Sequence, residues 1–414
     1  KAEDYVAKIG ETNYATLDES IKAAEDNDTI ILLANATTEG FILNKNLTID
    51  GKNEEGENYS ITFNKYGIDL GSYSLTFKNT SVLMEGINST LQISWATICS
   101  SPNANLTLIN TVMLMDNKND MTLHGTTYGQ HAIYFTGNNK LTLDNSKLEI
   151  RNYNQDALEW DGGDGGYNVI LTNSTYTSDN NRSGFTGKFT IKATDSNINV
   201  INSKGNGSNG SNFEFVNSTV NFLDNNSHGL SAINLTIDNS KVYANGNGAN
   251  GIHTIGIVNV KNNSTVYIMN NDCSISSKWT IPGALYIAGK AEIDKTTDLV
   301  ISNNNGSGIY VAKSGNLTLS TGIITENNAN KLKLGGGINN NNGTISISDK
   351  VEIYNNNAEI AGDDIYSTGV LELANVVNNK NLKLFTIIRK NIQELNDCED
   401  LINGWYDDSE NNRW

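Results

Sequence analysis

The sequence predicts an all-β fold: a right-handed parallel β-helix solenoid of about a dozen coils, with a short N-terminal capping helix and a C-terminal cap. Three observations predict it. The chain of 414 residues has 37 glycines, 2 prolines and asparagine at roughly one residue in six, a composition typical of many tight turns. A phrase made of a hydrophobic pair, an Asx-Ser pair and an Asn/Gly-rich run recurs at a regular step. Apolar residues alternate before each pair, which is the period of a strand with one buried face.

The first element is the predicted N-terminal cap, residues 1–33, an amphipathic helix followed by the first strand. The stretch YATLDESIKAAEDNDTIILL places Thr16 and Glu19 as a capping box. The apolar face of the helix consists of Leu17, Ile21 and Ala24. A strand is predicted to follow over residues 29–33. Because an open end of a stack of strands would pair with other chains, we expect the helix to cover the first coil.

The repeat fills the predicted β-helix, residues 34–374. Its Asx-Ser pairs begin at Asn145, Asn173, Asp195, Asn217, Asn239 and Asn263, with steps of 28, 22, 22, 22 and 24 residues. The step from the last apolar residue before a pair to the first apolar residue after it is five positions, as from Ile237 to Val242. In a straight strand this odd step would turn one of the two side chains outward. The chain must therefore turn a corner at each pair, where asparagine tolerates the left-handed conformation.

A third apolar segment follows each Asn/Gly run, as at Gly251-Ile252 and Gly308-Ile309. Three short strands and three corners in about 22 residues describe one coil of a parallel β-helix. Stacked coils would align asparagine side chains in ladders and merge the apolar strand faces into one core. A leucine-rich repeat is the main alternative, but its return segments are helical, and these returns are too rich in Asn and Gly.

Stretches near both ends of the chain resemble parts of known families. The N-terminal stretch, followed by Leu47-Thr48-Ile49-Asp50-Gly51, resembles the start of the pectin-lyase-like fold. GDDIYSTGVLELAN and GWYDDSENNRW resemble the closing segments of large repetitive surface proteins from Gram-positive gut anaerobes, so residues 375–414 are interpreted as a C-terminal capping segment of a single structural domain. The resemblance implies a secreted, adhesin-like repeat protein. Families of this shape also include polysaccharide lyases and glycoside hydrolases, so the fold alone does not give the function.

Charge, apolar runs and cysteine content limit the partners and the environment that we expect for this chain. The formal net charge of −17 disfavours nucleic acid and anionic membrane surfaces, which repel an acidic protein. No apolar run is long enough to cross a bilayer, and the start at Lys1 lacks a signal peptide, as expected of a mature chain. The 3 cysteines, Cys99, Cys273 and Cys398, are expected to be buried thiols. We expect a monomer that does not insert into membranes.

The motifs of known enzymes with this fold are largely missing. Polygalacturonase-like enzymes carry Asn-Thr-Asp, Asp-Asp, Gly-His-Gly and Arg-Ile-Lys in that order. This chain offers only the fragment Ser227-His228-Gly229, and Asp363-Asp364 follows that histidine instead of preceding it. No catalytic residue is therefore assigned, and the sequence favours a protein that is not an enzyme.

The most concentrated polar chemistry lies in RNYNQDALEWDGGDGGY, residues 151–167. Carboxylates beside aromatic rings suit sugar binding, and oxygen ligands on a Gly-rich loop could hold calcium. In the alternative interpretation these acids are simply solvated on an ordinary coil. The predicted binding residues are Tyr153, Asp156, Glu159, Trp160, Asp161, Asp164 and Tyr167. One coil earlier, an insertion carries aromatic and histidine side chains that are expected to border the same face: His124, Tyr128, His131 and Tyr134. Its two histidines are weak evidence for a metal.

These observations favour a non-enzymatic extracellular adhesin or binding module, attached to the cell surface or cell wall. Its loops, presented on a rigid rod, would bind a host glycan or a host protein such as a mucin, a matrix protein or an immunoglobulin. A carbohydrate-active enzyme of the same fold, either polysaccharide lyase or glycoside hydrolase, is one alternative. A passive structural stalk is the other. No cofactor is expected apart from a calcium ion at the acidic loop.

Overall fold

The chain forms a parallel β-helix, which confirms the predicted fold class. The computed structural model describes residues 4–52, 54–118, 130–162, 167–273, 282–329, 333–373, 377–379 and 382–384. It divides into an N-terminal unit, residues 1–204 with 208–212, and a C-terminal unit, residues 205–207 with 213–414. Among the described residues, no helix has the length and apolarity needed to cross a bilayer.

The N-terminal unit stacks parallel strands on three faces, which we number in the order the chain reaches them within a coil. The first-face strands are Asp28–Leu32, Leu47–Asp50, Ser74–Lys78, Asn105–Ile109, Lys140–Asp144, Tyr167–Thr172 and Thr190–Thr194. The second-face strands are Ala36–Thr38, Ser60–Phe63, Ser81–Glu85, Val112–Asp116, Lys147–Arg151, Thr175–Asp179 and Asn197–Ile201. The third-face strands are Phe41–Ile42, Ile68–Asp69, Ala96–Cys99, His131–Thr136, Leu158–Asp161, Phe185–Gly187 and Ser208–Asn209.

The C-terminal unit also stacks parallel strands on three faces. The nine-residue strand Leu230–Asp238 serves the third face at its start and the first face at its end. The other first-face strands are Val258–Lys261, Lys290–Ile293, Asn316–Leu319, Thr344–Ile347 and Val370–Leu373. The second-face strands are Thr219–Leu223, Lys241–Asn245, Thr265–Met269, Asp298–Ser302, Gly322–Thr325 and Val351–Tyr354. The other third-face strands are Ile252–Thr254, Leu285–Ile287, Ile309–Val311, Ile338–Asn340 and Ile365–Ser367.

Apart from an N-terminal hairpin, the remaining strands are four short ones and one at the division between the units. They are Asn328–Ala329 paired with Asn357–Ala358, Val377–Asn379 paired antiparallel with Leu382–Leu384, and Ser211–Val216 at the division. Most of the predicted C-terminal capping segment, residues 375–414, lies outside the described residues.

The N-terminal helix spans Leu17–Ala23 and begins at the predicted cap, because Thr16 Oγ1 accepts a hydrogen bond from the Glu19 backbone N–H at 3.1 Å. Its predicted apolar face is buried. Two strands that the sequence analysis missed, Ala7–Ile9 and Thr12–Tyr14, form an antiparallel hairpin before the helix. The first of them also pairs antiparallel with Asp28–Leu32, and this pairing occupies one edge of the first coil.

The recurring Asx-Ser pair builds two ladders at once. The Asx residue of all six pairs is left-handed, with φ between 44° and 60°, as the corner interpretation requires. On the outside, Asn173 Nδ2 donates to Asn145 Oδ1 at 3.0 Å. On the inside, Ser174 Oγ accepts from the Ser146 backbone N–H at 3.0 Å and donates to Thr172 O within its own corner. Ile237 and Val242 are both fully buried, which confirms that the five-residue step turns a corner.

A third ladder, of buried asparagines, lies where the chain leaves the second face of the C-terminal unit. Its members are Asn225, Asn247, Asn271, Asn304, Asn327 and Asn356. The amide of each of the first five asparagines donates to the side-chain oxygen of the next in line. Backbone groups that turn at this corner are thereby satisfied without water.

Cysteines follow the expectation where the structure describes them. Cys99 and Cys273 are free and buried, and Cys398 lies outside the described residues.

Candidate functional site

The third face of the N-terminal unit brings polar side chains from two neighbouring coils together. Strand His131–Thr136 pairs in parallel with Leu158–Asp161, so that Tyr134 lies opposite Glu159 and Thr136 lies opposite Asp161. Residues between these positions, such as Trp160, point into the core. Strand alternation therefore turns Tyr134, Glu159 and Asp161 outward on one patch.

A buried carboxyl lies at the corner that leads into this face. Asp156 is 1% exposed, and its Oδ1 accepts a hydrogen bond from Ser183 Oγ at 2.8 Å. Its Oδ2 lies 4.0 Å from Arg182 Nη1, on a side chain that is 56% exposed. The Arg182 guanidinium also donates to Gln155 Oε1. The arginine thus lies between the buried acid and solvent.

His131 connects this acid with the outward patch. Its Nδ1 lies 2.8 Å from Glu159 Oε2 and 3.8 Å from Asp156 Oδ2, and its side chain is 13% exposed. The shorter contact is an ion-pair distance, and Nδ1 forms no aligned hydrogen bond with any residue that the structure describes. Among the described residues, His131, Asp156 and Glu159 are the one group of three whose ligand atoms lie within 4.8 Å of one another, as metal coordination requires.

The two carboxyl groups next to His131 have pKa values displaced in opposite directions. Burial raises the pKa of Asp156, and the Ser183 hydrogen bond and the Arg182 charge only partly oppose it. Burial, the largest single influence, also acts to raise the pKa of Glu159, but the contacts with His131, Asp156 and Arg182 together outweigh it and the net pKa is lowered. Asp156 is therefore the weaker acid of the two.

Tyr134 and Asp161 form the most accessible part of the patch. Tyr134 Oη donates to Asp161 Oδ2 at 3.0 Å, and Asp161 is exposed. Burial, followed by the hydrogen bond to Asp161, raises the pKa of Tyr134 to about 12, so the phenol remains a donor at neutral pH.

Trp95 borders the patch, although no motif in the sequence marks it. Its ring meets that of Tyr134 edge to face, with centroids 4.4 Å apart. Trp95 immediately precedes the third-face strand Ala96–Cys99, and its carbonyl accepts from the His131 N–H at 2.9 Å. The signal in the sequence was its position one coil before His131, which only the register of the coils reveals.

Two of the predicted binding residues lie in the core and need a corrected interpretation. Trp160 is 2% exposed, packs between Phe135 and Phe189, and donates from Nε1 to Gly137 O at 2.8 Å. Tyr153 is fully buried, with its hydroxyl 3.0 Å from Thr97 Oγ1 and 3.2 Å from Ile87 O. Neither ring has a solvent-facing surface on which a sugar could stack, because both occupy inward positions of an ordinary coil.

The remaining predicted residues divide into those that the structure brings together and those that it does not describe. Asp156, Glu159 and Asp161 converge as described. Asp164 lies outside the described residues, and Tyr167 begins a first-face strand while its side chain lies outside the description. From the preceding insertion, His131 and Tyr134 border the carboxylates, and His124 and Tyr128 lie outside the described residues.

Comparisons with known proteins add little to this geometry. No protein-family model matches the chain, and no curated protein sequence matches it. Among solved structures, the periplasmic alginate epimerase AlgG matches with a TM-score of 0.29 and 12% identity, covering 90% of this chain and 94% of that chain. A double mutant of AlgG matches with a TM-score of 0.33 and 12% identity, covering 90% of this chain and 89% of that one. Likeness at this level is too low to carry an argument about this chain, whose site is described by its own geometry.

Proposed function

We propose that the protein is a carbohydrate-active enzyme that acts on an extracellular polysaccharide at the third face of the N-terminal unit. The observation that carries the proposal is the exposed Tyr134–Asp161 pair directly beside the His131, Asp156 and Glu159 cluster. The patch combines a carboxylate that can exchange protons, a phenol donor and an aromatic wall. Such groups can exchange protons with a sugar and hold it in place, as enzymes that cleave glycosidic links do.

In this proposal Asp161 is the group that exchanges a proton with the substrate. It is exposed, whereas Asp156 is enclosed, and the phenol of Tyr134 fixes its Oδ2 at 3.0 Å. The half-buried Trp95 would contact an apolar sugar face, and Arg182 supplies the one described cationic guanidinium at the rim. Because polysaccharides are too large to enter cells intact, the proposal places the protein outside the cell, at the cell surface or wall.

A second candidate is the non-enzymatic binding module, which would bind a host glycan or host protein. One observation favours it. The deepest acid, Asp156, is held by Ser183 and is almost completely buried, so the solvent-facing patch consists mainly of rings and hydrogen-bond acceptors. Such a surface suits binding without turnover. The passive stalk would need none of these contacts.

The test is a turnover assay with an unusually close control. Purified protein is incubated with neutral and uronate polysaccharides, and both new reducing ends and unsaturated products are measured. Asp161→Asn should lower turnover by about 100-fold or more, since general acid-base groups contribute at least that much. Asp298→Asn is the control, because Asp298 accepts a hydrogen bond from the Tyr267 phenol at 2.7 Å on the second face of the C-terminal unit, where the described residues form no such cluster.

The outcomes separate the candidates. Turnover that Asp161→Asn removes and Asp298→Asn retains supports the enzyme, and the product type distinguishes hydrolysis from elimination. Absence of turnover, with glycan binding that Trp95→Ala weakens, would replace the enzyme by the binding module. Absence of both activities would overturn a carbohydrate function at this face.

A further inference from the structure

We infer that His131, Asp156 and Glu159 form a binding site for one divalent transition-metal ion. The inference shares its location with the proposed function but does not depend on it, because an ion can be measured here without any substrate.

The donor atoms already have nearly the spacing of a coordination shell. With bonds of about 2.1 Å, the ligands of a tetrahedral ion lie about 3.4 Å from one another. His131 Nδ1 lies 2.8 Å from Glu159 Oε2 and 3.8 Å from Asp156 Oδ2, on either side of that value. Small side-chain rotations would therefore suffice to place an ion among the three, without movement of the strands that carry them.

The hydrogen bonding of His131 also points to a ligand. His131 Nδ1 is buried and lies 2.8 Å from Glu159 Oε2, yet it forms no aligned hydrogen bond with a described residue. A buried nitrogen whose contacts are not aligned forgoes much of the stabilisation of a hydrogen bond. Asp156 Oδ2 is 3.8 Å from this nitrogen and 4.0 Å from Arg182 Nη1, both too long for hydrogen bonds. An ion between the nitrogen and the two carboxylates would satisfy the nitrogen and balance the negative charge.

The donor set selects the class of ion. An imidazole nitrogen with two carboxylates suits zinc, manganese or cobalt, whereas calcium prefers six to eight oxygens. The Ser183 hydrogen bond to Asp156 Oδ1, at 2.8 Å, would orient that ligand in the way outer-shell partners of metal ligands do. Glu159 is 25% exposed in its side chain, so solvent can reach the site and supply a fourth ligand.

The competing explanation is a protonated His131 that simply pairs with the two carboxylates. It predicts no stoichiometric metal binding. A metal site predicts stoichiometric binding that weakens as pH falls, because protons compete with the ion for its ligands.

The test uses the full chain after dialysis against a chelator. Titration calorimetry and elemental analysis should show one Zn²⁺ or Mn²⁺ per chain and no comparable binding of Ca²⁺. Asp156→Asn and Glu159→Gln should each weaken binding by about 10-fold or more. Glu149→Gln is the matched control, because Glu149 is a half-exposed acid of the same unit on its second face. Circular dichroism confirms that each variant is folded.

Cobalt provides a readout that does not require a stability comparison. Co²⁺ bound by nitrogen and oxygen ligands absorbs in the visible, and His131→Gln should abolish that band in a folded variant. Absence of stoichiometric metal binding overturns the inference. Metal binding that Asp156→Asn, Glu159→Gln and His131→Gln all retain also overturns it. Metal binding without polysaccharide turnover would support the ion site and reject the proposed function. Polysaccharide turnover that survives chelation, by a protein that binds no ion, would support the proposed function and reject the ion site.

Discussion

Replacing Asn271 by alanine should destabilise the C-terminal unit more than any single exposed asparagine can. Asn271 is 1% exposed and lies in the middle of the buried ladder. Its amide donates to Ala244 O at 2.9 Å and to Asn304 Oδ1 at 3.0 Å. Its oxygen accepts from both the backbone N–H and the side-chain amide of Asn247, each at 2.9 Å. One side chain therefore satisfies groups in the coils on both sides.

The magnitude follows from these four hydrogen bonds. A typical hydrogen bond contributes about 1 kcal/mol net, and a buried group that loses its partner costs more. Asn271→Ala should therefore lower the free energy of unfolding by about 4 kcal/mol. Asn271→Asp retains the accepting oxygens but turns a carboxylate toward Ala244 O and Asn304 Oδ1. At neutral pH it should be at least as destabilising as alanine, and acid should relieve part of its cost because the protonated carboxyl can donate again.

Urea unfolding followed by circular dichroism measures both variants against a control. Asn316→Ala is suitable, because Asn316 is an exposed strand residue of the same unit with an ordinary backbone conformation. Its effect should stay within about 0.5 kcal/mol. If Asn271→Ala and Asn316→Ala unfold at the same urea concentration with equal slopes, the ladder contributes no net stability and the reasoning is wrong.

Substitutions at three further positions test other parts of the structure. Asn239→Ala should lower the free energy of unfolding, measured with urea, by about 1–2 kcal/mol, because Asn239 has φ 44° and alanine disfavours this left-handed conformation. Asn239→Gly should lose only the outer ladder hydrogen bond. Equal costs for the two variants would reject backbone strain as the cause. Burial lowers the pKa of His253 to about 4. Because the unfolded chain then binds this proton more readily than the folded one, the free energy of unfolding should fall by up to roughly 3 kcal/mol as pH falls from about 6.5 to about 4. His253→Phe, which cannot titrate, should show a flatter stability profile across that range; an unchanged profile would exclude His253 as its cause. Trp160→Ala should lower unfolding free energy by about 3–5 kcal/mol, and an unchanged melting temperature would contradict its core position.

The coil architecture could be predicted because the sequence repeats a local solution to one problem. At each first corner the backbone must enter the left-handed region and satisfy its polar groups, and an Asx-Ser pair does both. Repetition at a nearly constant step then indicates that neighbouring coils share the solution. The hairpin Ala7–Ile9 with Thr12–Tyr14 occurs once and pairs antiparallel, so no repeat could reveal it.

The site was less predictable, since residue type was weighed before the direction in which each residue points. The alternation that identifies Leu158 as a core residue also turns Trp160 inward two positions later, and the buried indole follows that rule. Tyr153 occupies a corner position that is buried asparagine in the next coil, Asn181, whose oxygen accepts from the Tyr153 N–H at 2.9 Å. An aromatic side chain in such a sequence is thus as suited to the core as to a ligand.

On a parallel β-helix, the side chains that form one site come from successive coils and lie far apart along the chain. His131, Asp156 and Ser183 follow one another at one corner of three successive coils, although 25 and 27 residues separate them in sequence. A search for motifs along the chain finds only one of these residues at a time. Counting from the preceding corner does not reveal the alignment either, because Asp156 lies 11 residues after Asn145, whereas His131 lies 21 residues after Asn110. Because each coil is a variation on the same corner chemistry, the informative positions are those where a charged or aromatic residue replaces the expected asparagine or serine, and the His131 cluster is such a place.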